Sequence, residues 1–403
     1  LTDAMKTPRA ALTGCAALAA LVWALPAAAQ QTATWGASVR PRFESRTISG
    51  GNSTAFTGMQ TRLSLARTLS ERASLFVQLQ DVRLWGEETR TSDGSADLFD
   101  LHQAYFDLGE RTALWARVGR QEMQFAEGRL VGTPPWSNVG QSFDGVRGAF
   151  APTESTVVDA FAVQIREADA EPGASETTFA GVWTETRVGE DGSLQLFALH
   201  DRVQAPDRTA RTTAGMYFAS SLGTFRYRVE GALQGGRAAG LDVHAHMLAL
   251  EGGWVVDEEG RGTVTLWYDR YSGDANPAPG ETGAFSDLYG RNHRFFGYAD
   301  LLKNIPEDTG GRGLQDLALK LGYEIRPGTT LGADLHRFLV TDAAGLDDGL
   351  LANELDLYAK GPLLEGVDFL TGLSRVELGA AGTAVGLADG NVTLAYLQLR
   401  AAF

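Results

Sequence analysis

The sequence predicts an all-β protein, a transmembrane antiparallel up-and-down β-barrel of about 18 strands with short periplasmic turns and long extracellular loops. Three observations predict it. Segments of about ten residues alternate apolar and polar side chains, which gives each segment one apolar and one polar face. The links between the segments alternate short and long. The chain also ends on an amphipathic segment closed by Phe403.

Taken from the start, Met5 reads as the translational start, with Leu1 to Ala4 upstream of it. Lys6 and Arg9 form a short positive region, and Ala10 to Leu25 is apolar and small. Ala27, Ala28 and Ala29 then supply the small residues of a cleavage site. Residues 1–29 are therefore expected to be a removable signal peptide and residues 30–403 the barrel. The apolar run is shorter than the roughly 20 residues that span a bilayer as a helix. Cys15, the only cysteine, falls inside this peptide, so disulfide and thiolate chemistry are not expected in the exported chain. The formal charge of −15 argues against a nucleic-acid partner. Export and a barrel together place the chain in the outer membrane of a Gram-negative type of cell, in contact with its lipid.

The cleanest segments set the pattern. Trp35, Ala37, Val39 and Phe43 oppose Arg40, Arg42 and Glu44, and Phe225, Tyr227 and Val229 alternate with Arg226, Arg228 and Glu230. Leu317, Leu319, Leu321, Tyr323 and Ile325 oppose Ala318, Lys320, Gly322 and Glu324. Strands are expected to begin near residues 33, 57, 73, 99, 112, 142, 156, 176, 193, 209, 224, 241, 262, 314, 329, 350, 367 and 391. Short links such as Ser70 to Arg72, Ser221 to Gly223 and Pro327-Gly328 follow the even strands. Longer ones, Glu44 to Ala55, Trp85 to Leu98, Ala126 to Gln141 and Ser272 to Gly313, follow odd strands. A soluble sandwich has no reason for this rhythm. A closed barrel does, and it is the sheet that lipid tolerates, because every backbone polar group finds a partner. Trp35, Trp85, Trp254, Trp267 and Tyr268 near strand ends suit interfacial girdles. On the last strand Thr393, Ala395, Leu397, Leu399, Ala401 and Phe403 share a face, and this terminal strand is expected to engage the barrel-assembly machinery.

The polar faces carry Arg40, Arg42, Arg62, Arg226, Arg228, Lys320 and Arg400. In a barrel that face is the lumen, since charge facing lipid near the midplane costs about 2–4 kcal/mol. A set of guanidinium groups around a pore selects solutes bearing carboxylate or phosphate, which Arg binds in bidentate fashion. Each arginine also has a structural reading, because a wet lumen needs charge pairs. Glu44, Glu230, Asp334 and Asp356 would supply the partners.

Two stretches go beyond periodicity. The first runs from Leu101-His102-Gln103-Ala104-Tyr105 through Gly119-Arg120-Gln121-Glu122-Met123, Gly128-Arg129-Leu130-Val131-Gly132 and Trp136-Ser137-Asn138 to Phe143-Asp144-Gly145-Val146-Arg147. The second holds Tyr271-Ser272-Gly273-Asp274, Phe285 to Tyr289, His293 and Gly297-Tyr298-Ala299-Asp300. Together they resemble the alginate export family of outer-membrane channels, from about Trp35 to Phe403. The resemblance implies an eighteen-stranded monomeric barrel whose arginine-lined lumen attracts an anionic polysaccharide. Arg120, Arg129, Asp144 and Arg147 would then either meet the solute or hold an infolded loop, with Arg129 reaching into the lumen. Strict alternation sets Arg120 opposite Gln121, toward lipid, so that a bulge or a position at interfacial height is required. One departure stands out: the link Lys360 to Glu365 is short where the family's alginate exporter has a long periplasmic gate loop. An open porin for smaller anions fits as well as a polymer exporter.

Other signals are set aside. His244 and His246 read as polar lumen lining rather than metal ligands, and Asp342, Asp347, Asp348 and Asp257-Glu258-Glu259 read as solvated turns. Neither Gly-x-Ser-x-Gly nor His-Glu-x-x-His occurs, so no enzyme, cofactor or metal centre is expected. The function expected is an outer-membrane channel selective for anionic saccharides or organic anions. The alternative is a structural or adhesive barrel plugged by the loop Ser272 to Gly313.

Overall fold

A computed structural model describes residues 33–86, 99–110, 113–166, 175–204 and 208–403. The expected signal peptide and Cys15 lie outside the described residues.

Alternation becomes strand throughout. The strands are β1 (Ala33–Ile48), β2 (Ser53–Ser70), β3 (Ala73–Leu84), β4 (Phe99–Glu110), β5 (Leu114–Gln121), β6 (Phe143–Thr153) and β7 (Thr156–Arg166). They continue with β8 (Thr177–Val188), β9 (Gly192–Val203), β10 (Thr209–Leu222), β11 (Phe225–Ala238), β12 (Leu241–Val255) and β13 (Gly262–Tyr271). After the two-residue β14 (Glu281–Thr282) come β15 (Leu314–Arg326), β16 (Thr329–Leu339), β17 (Leu350–Leu364), β18 (Val367–Leu378) and β19 (Val392–Ala402). Every strand but β14 pairs antiparallel with its sequence neighbours. The sheet closes where β1 pairs β19, with Val39 opposite Ala401 and Ile48 opposite Val392. The result is a closed antiparallel barrel of 18 strands, and β14 is a short parallel addition to β12 inside a loop. Closure leaves no free edge, and Phe403 and Ala37 exchange backbone hydrogen bonds of 2.7 and 2.9 Å at the seam.

Strand starts fall within two residues of expectation, with one exception. β2 begins at Ser53, because β1 continues to Ile48 and Thr47 still pairs Ser53. The short–long rhythm is also not strict: β1–β2 and β11–β12 are tight hairpins at the end where the other loops are long. At the opposite end Gly328 and Gly366, both at φ +76°, adopt the left-handed backbone that two-residue hairpin turns require.

The outside of the barrel is apolar. Leu63, Val118, Val146, Leu196, Leu233, Leu266, Leu317 and Leu357 are all exposed on outward positions, as a lipid-facing wall requires. The closely packed core lies in the lumen, where two loops fold inward. Residues 122–142 bring Met123, Leu130 and Val131, and residues 272–313 bring Phe285, Phe295, Phe296, Leu302 and Ile305. They pack on Phe161, Phe179, Phe197, Leu199 and Tyr271 of the wall. Each fully buried side chain of this kind contributes about 1.5–3 kcal/mol, so the infolded loops are a structural part of the barrel.

Candidate functional site: the loop-narrowed lumen

The two loops are locked to each other before they are locked to the wall. Val131 and Tyr289 form a parallel bridge, Gly132 N donates to Tyr289 O at 3.0 Å, and Tyr289 N donates to Leu130 O at 3.0 Å. Trp136 stacks on His293 with ring centroids 4.2 Å apart. Arg129 then bolts the pair to the far wall. It donates to Asp269 at 2.7 Å, Glu230 at 3.2 Å and Tyr271 Oη at 3.1 Å, and its guanidinium lies 4.1 Å from the Phe295 ring centroid. It is wholly buried.

The longer loop has its own clamps. Ala299 N donates to Glu354 at 2.8 Å and Tyr298 N to Asp356 at 3.3 Å. Gly297 (φ +77°) lies so close that a Cβ there would meet the Glu354 carboxylate at 2.4 Å. Gln234 exchanges two hydrogen bonds with the Ser286 backbone, and Arg46 donates to Ala299 O. Within this loop, burial pushes the Asp287 carboxyl up to about 7, although it accepts from Asn292 and Ile305 N.

The shorter loop faces a basic wall made by β19, β1 and β2. Arg40 donates to the carbonyls of Pro135 and Ser137 and to Asn138, and Arg42 donates to Trp136 O and to Glu44. The Arg42 guanidinium also lies 3.7 Å from the Trp136 ring centroid. Gln60 and Gln80 reach the carbonyls of Asn138 and Val139. Arg62 contacts Gln80 at 2.7 Å, Glu122 at 3.4 Å and His102 at 2.8 Å. Between wall and loop a cavity of about 210 Å³ remains, lined by Arg40, Arg62, Arg400, Glu122, Pro134 and Gln398 among others. Arg400 is exposed there and has no hydrogen-bond or ion-pair partner among the described residues. Two wider cavities, of about 1010 and 560 Å³, lie elsewhere against the wall. The first holds Arg147 and Asp159, the second Arg226 and Arg228.

The arginines singled out in the sequence thus separate into groups. Arg400 and Arg226 are exposed on the lumen face without a partner among the described residues. Arg62, Arg147, Arg228 and Lys320 also face the lumen but hold carboxylates, Arg147 on Asp159 at 2.7 Å, Arg228 on Glu251 at 2.7 Å and Lys320 on Asp334 at 3.4 Å. Arg40, Arg42 and Arg129 grip the loops. Arg120 and Asp144 contradict the reading as lumen residues. They pair with each other at 2.6 Å, opposite in register and on the outward face, because no bulge interrupts β5.

Three smaller expectations are corrected as well. His244 and His246 are exposed and alternate with buried Val243 and Ala245, so they point outward rather than into the lumen. Trp267 is no girdle residue: it is buried in the lumen under Arg228 and Lys320. Asp356 holds loop backbone rather than an arginine. Residues the sequence reading missed, chiefly Gln60, Gln80, Gln234 and Glu354, lie on lumen faces that alternation identifies. Their role as loop clamps carries no sequence signal, since it depends on which carbonyl lies across the pore.

The sequence matches the alginate export family over residues 31–353, most of the chain. The chain belongs to that family. None of the curated proteins compared matches this alginate export family chain. Its barrel is similar to solved outer-membrane proteins. Pseudomonas aeruginosa OpdH superposes with a TM-score of 0.66 at 11% identity, covering 92% of this chain and 98% of that one. Acinetobacter baumannii OccAB1 gives 0.64 at 13%, with 92% and 96% covered. P. aeruginosa OpdK, solved with vanillate, gives 0.62 at 12%, with 92% and 98% covered. At these identities the likeness is one of fold, an outer-membrane porin barrel.

Proposed function

We propose that this alginate export family barrel is an anion-selective channel that passes small organic anions between the loop 122–142 and the wall of Arg40, Arg62 and Arg400. The observation that carries the proposal is Arg400, exposed in the narrow cavity without a counter-ion among the described residues, beside two further guanidinium groups. A carboxylate entering there meets fixed positive charge in a site partly shielded from water, where the attraction is stronger than in bulk. Glu122, the carboxylate lining that cavity, is already occupied by His102 at 2.7 Å and Arg62.

Size narrows the class of solute. The cavity, about 210 Å³, is smaller than the roughly 300–1,000 Å³ of drug-sized sites. It favours single-ring or short carboxylates over a polysaccharide chain, and the vanillate of the OpdK structure is an anion of that kind. Removal of residues 1–29 on export, assembly through the Phe403 strand and a monomeric state complete the proposal. Liposome swelling with anions of increasing length tests it. Uptake of monocyclic carboxylates and exclusion of long oligouronates is expected, and equal permeation by neutral sugars of the same size would refute the selectivity.

A second reading has its own observation. Phe285, Phe295 and Phe296 pack into a buried apolar cluster inside the lumen, as in a plugged structural barrel. Such a barrel would not conduct, and planar-bilayer recording separates the two.

A further inference from the structure

The outward wall of β13 to β18 departs from a plain lipid-facing surface. Leu266, Leu317, Leu335 and Leu355 are exposed on it and line a groove of about 910 Å³. Arg337 and Arg375 close the groove at its long-loop end. Both alternate with buried lumen residues, His336 and Phe338 for the first, Ser374 and Val376 for the second, so both point away from the pore. Neither has an ion-pair partner among the described residues. Arg337 reaches only Asn353 at 3.5 Å, and Arg375 only Thr393 at 2.8 Å.

At two other outward positions the charge is neutralised at hand: Arg120 holds Asp144 at 2.6 Å and Arg83 holds Asp81 at 2.8 Å. Glu377, on the same face as Arg337 and Arg375, forms no ion pair with either. Arg270, also outward, adds a third guanidinium whose Nε has no hydrogen-bond partner.

The three arginines form a level belt. Arg270 stands one residue from the long-loop end of β13, Arg337 two from that of β16 and Arg375 three from that of β18. In register Arg337 lies opposite Asn353, and Leu355 lies opposite Arg375. The two arginines are therefore diagonal neighbours across β17, roughly 12 Å apart at Cα from strand spacing and rise. Side chains of that length can converge on one head group or span two phosphates. Unpaired cations beside exposed leucines are tolerated only at the head-group level, where they meet anions.

We propose that this groove binds a phosphorylated glycolipid of the outer leaflet, its acyl chains over Leu266, Leu317, Leu335 and Leu355 and its phosphates on Arg337 and Arg375. In an outer-membrane barrel the long-loop end faces outward, and the anionic phosphate is the complement of a belt that holds three arginines and one glutamate.

The test is binding of hexa-acylated bis-phosphorylated lipid A to the refolded full-length barrel in detergent, read by native mass spectrometry. Retained barrel fold is checked by circular dichroism. Saturable binding is expected, weakened tenfold or more in R337Q/R375Q and strengthened in E377Q, with single-channel conductance unchanged in all. Three results would overturn the proposal: dephosphorylated lipid A binding equally well, phosphatidylglycerol binding as tightly as lipid A, or R337Q/R375Q binding like the parent. If R337Q/R375Q does not fold, E377Q decides: unchanged or weaker binding contradicts the belt.

Discussion

Arg129 and Arg400 are the same residue type in the same lumen, and their surroundings give them opposite uses. Arg129 is wholly buried, with two carboxylates and a tyrosine hydroxyl around its guanidinium. Arg400 is exposed beside Arg40 and Arg62, with no partner among the described residues. On the far wall Glu230 and Asp269 hold a loop arginine, whereas on the wall of β19, β1 and β2 Arg40 and Arg42 hold loop carbonyls and Arg400 stays free. A lumen arginine in this barrel is read by its partners and not by its place on the polar face.

Breaking the buried side should have the largest effect. Arg129→Leu leaves Asp269 buried without its cation and Glu230 with Arg228 alone, at 3.6 Å, a loss on the order of 3–5 kcal/mol. Chemical denaturation should show it, and the released loops should raise single-channel conductance. Unchanged stability would mean that the bolt is not structural.

Gly297→Ala comes next. The left-handed backbone and the Glu354 carboxylate in the way of a Cβ predict a cost of about 1–3 kcal/mol. Limited proteolysis should find new cleavage within residues 272–313, and a variant as resistant as the parent would remove Glu354 as a clamp.

Acidity should act on the same loop in a smaller way. The Asp287 carboxyl is raised by burial to about 7 in the folded loop, above its ordinary value of 3.8. The folded form therefore holds its proton more tightly, so this contribution to loop anchoring is complete below about pH 4 and is lost as pH rises through about 7. Hydrogen exchange of residues 283–309 should quicken across that window, and Asp287→Asn should flatten the dependence.

The smallest effects on stability belong to the free arginines. Arg400→Ala and Arg226→Ala should each stay within about 0.5 kcal/mol of the parent. Their effect on selectivity should differ, with Arg400→Ala the larger, because Arg226 lines a cavity of about 560 Å³ and Arg400 one of about 210 Å³.

Much of this architecture was legible in the sequence. Alternation along Leu317 to Ile325 and Phe225 to Glu230 is a property of the chain, so strand positions and the polar face of Arg226, Arg228 and Lys320 followed directly. Parity also warned that Arg120 faces lipid, and the structure agrees with parity against the motif reading. Glu44 as a partner of Arg42 was legible too, but the loop partners of Arg40 and Arg42 were not. They are carbonyls of residues 135–137, about 95 positions away, brought across the pore by the infolding of a loop. Nor could sequence separate Arg129 from Arg400, since the difference lies in Glu230 and Asp269, which meet Arg129 only once the barrel has closed.

Reversal potential under a salt gradient in a planar bilayer, for the parent and for Arg400→Ala, decides whether Arg400 sets the selectivity. A clear anion preference is expected in the parent, falling in the variant while the conductance persists. Cation selectivity, or an anion preference that Arg400→Ala leaves untouched, would contradict that role.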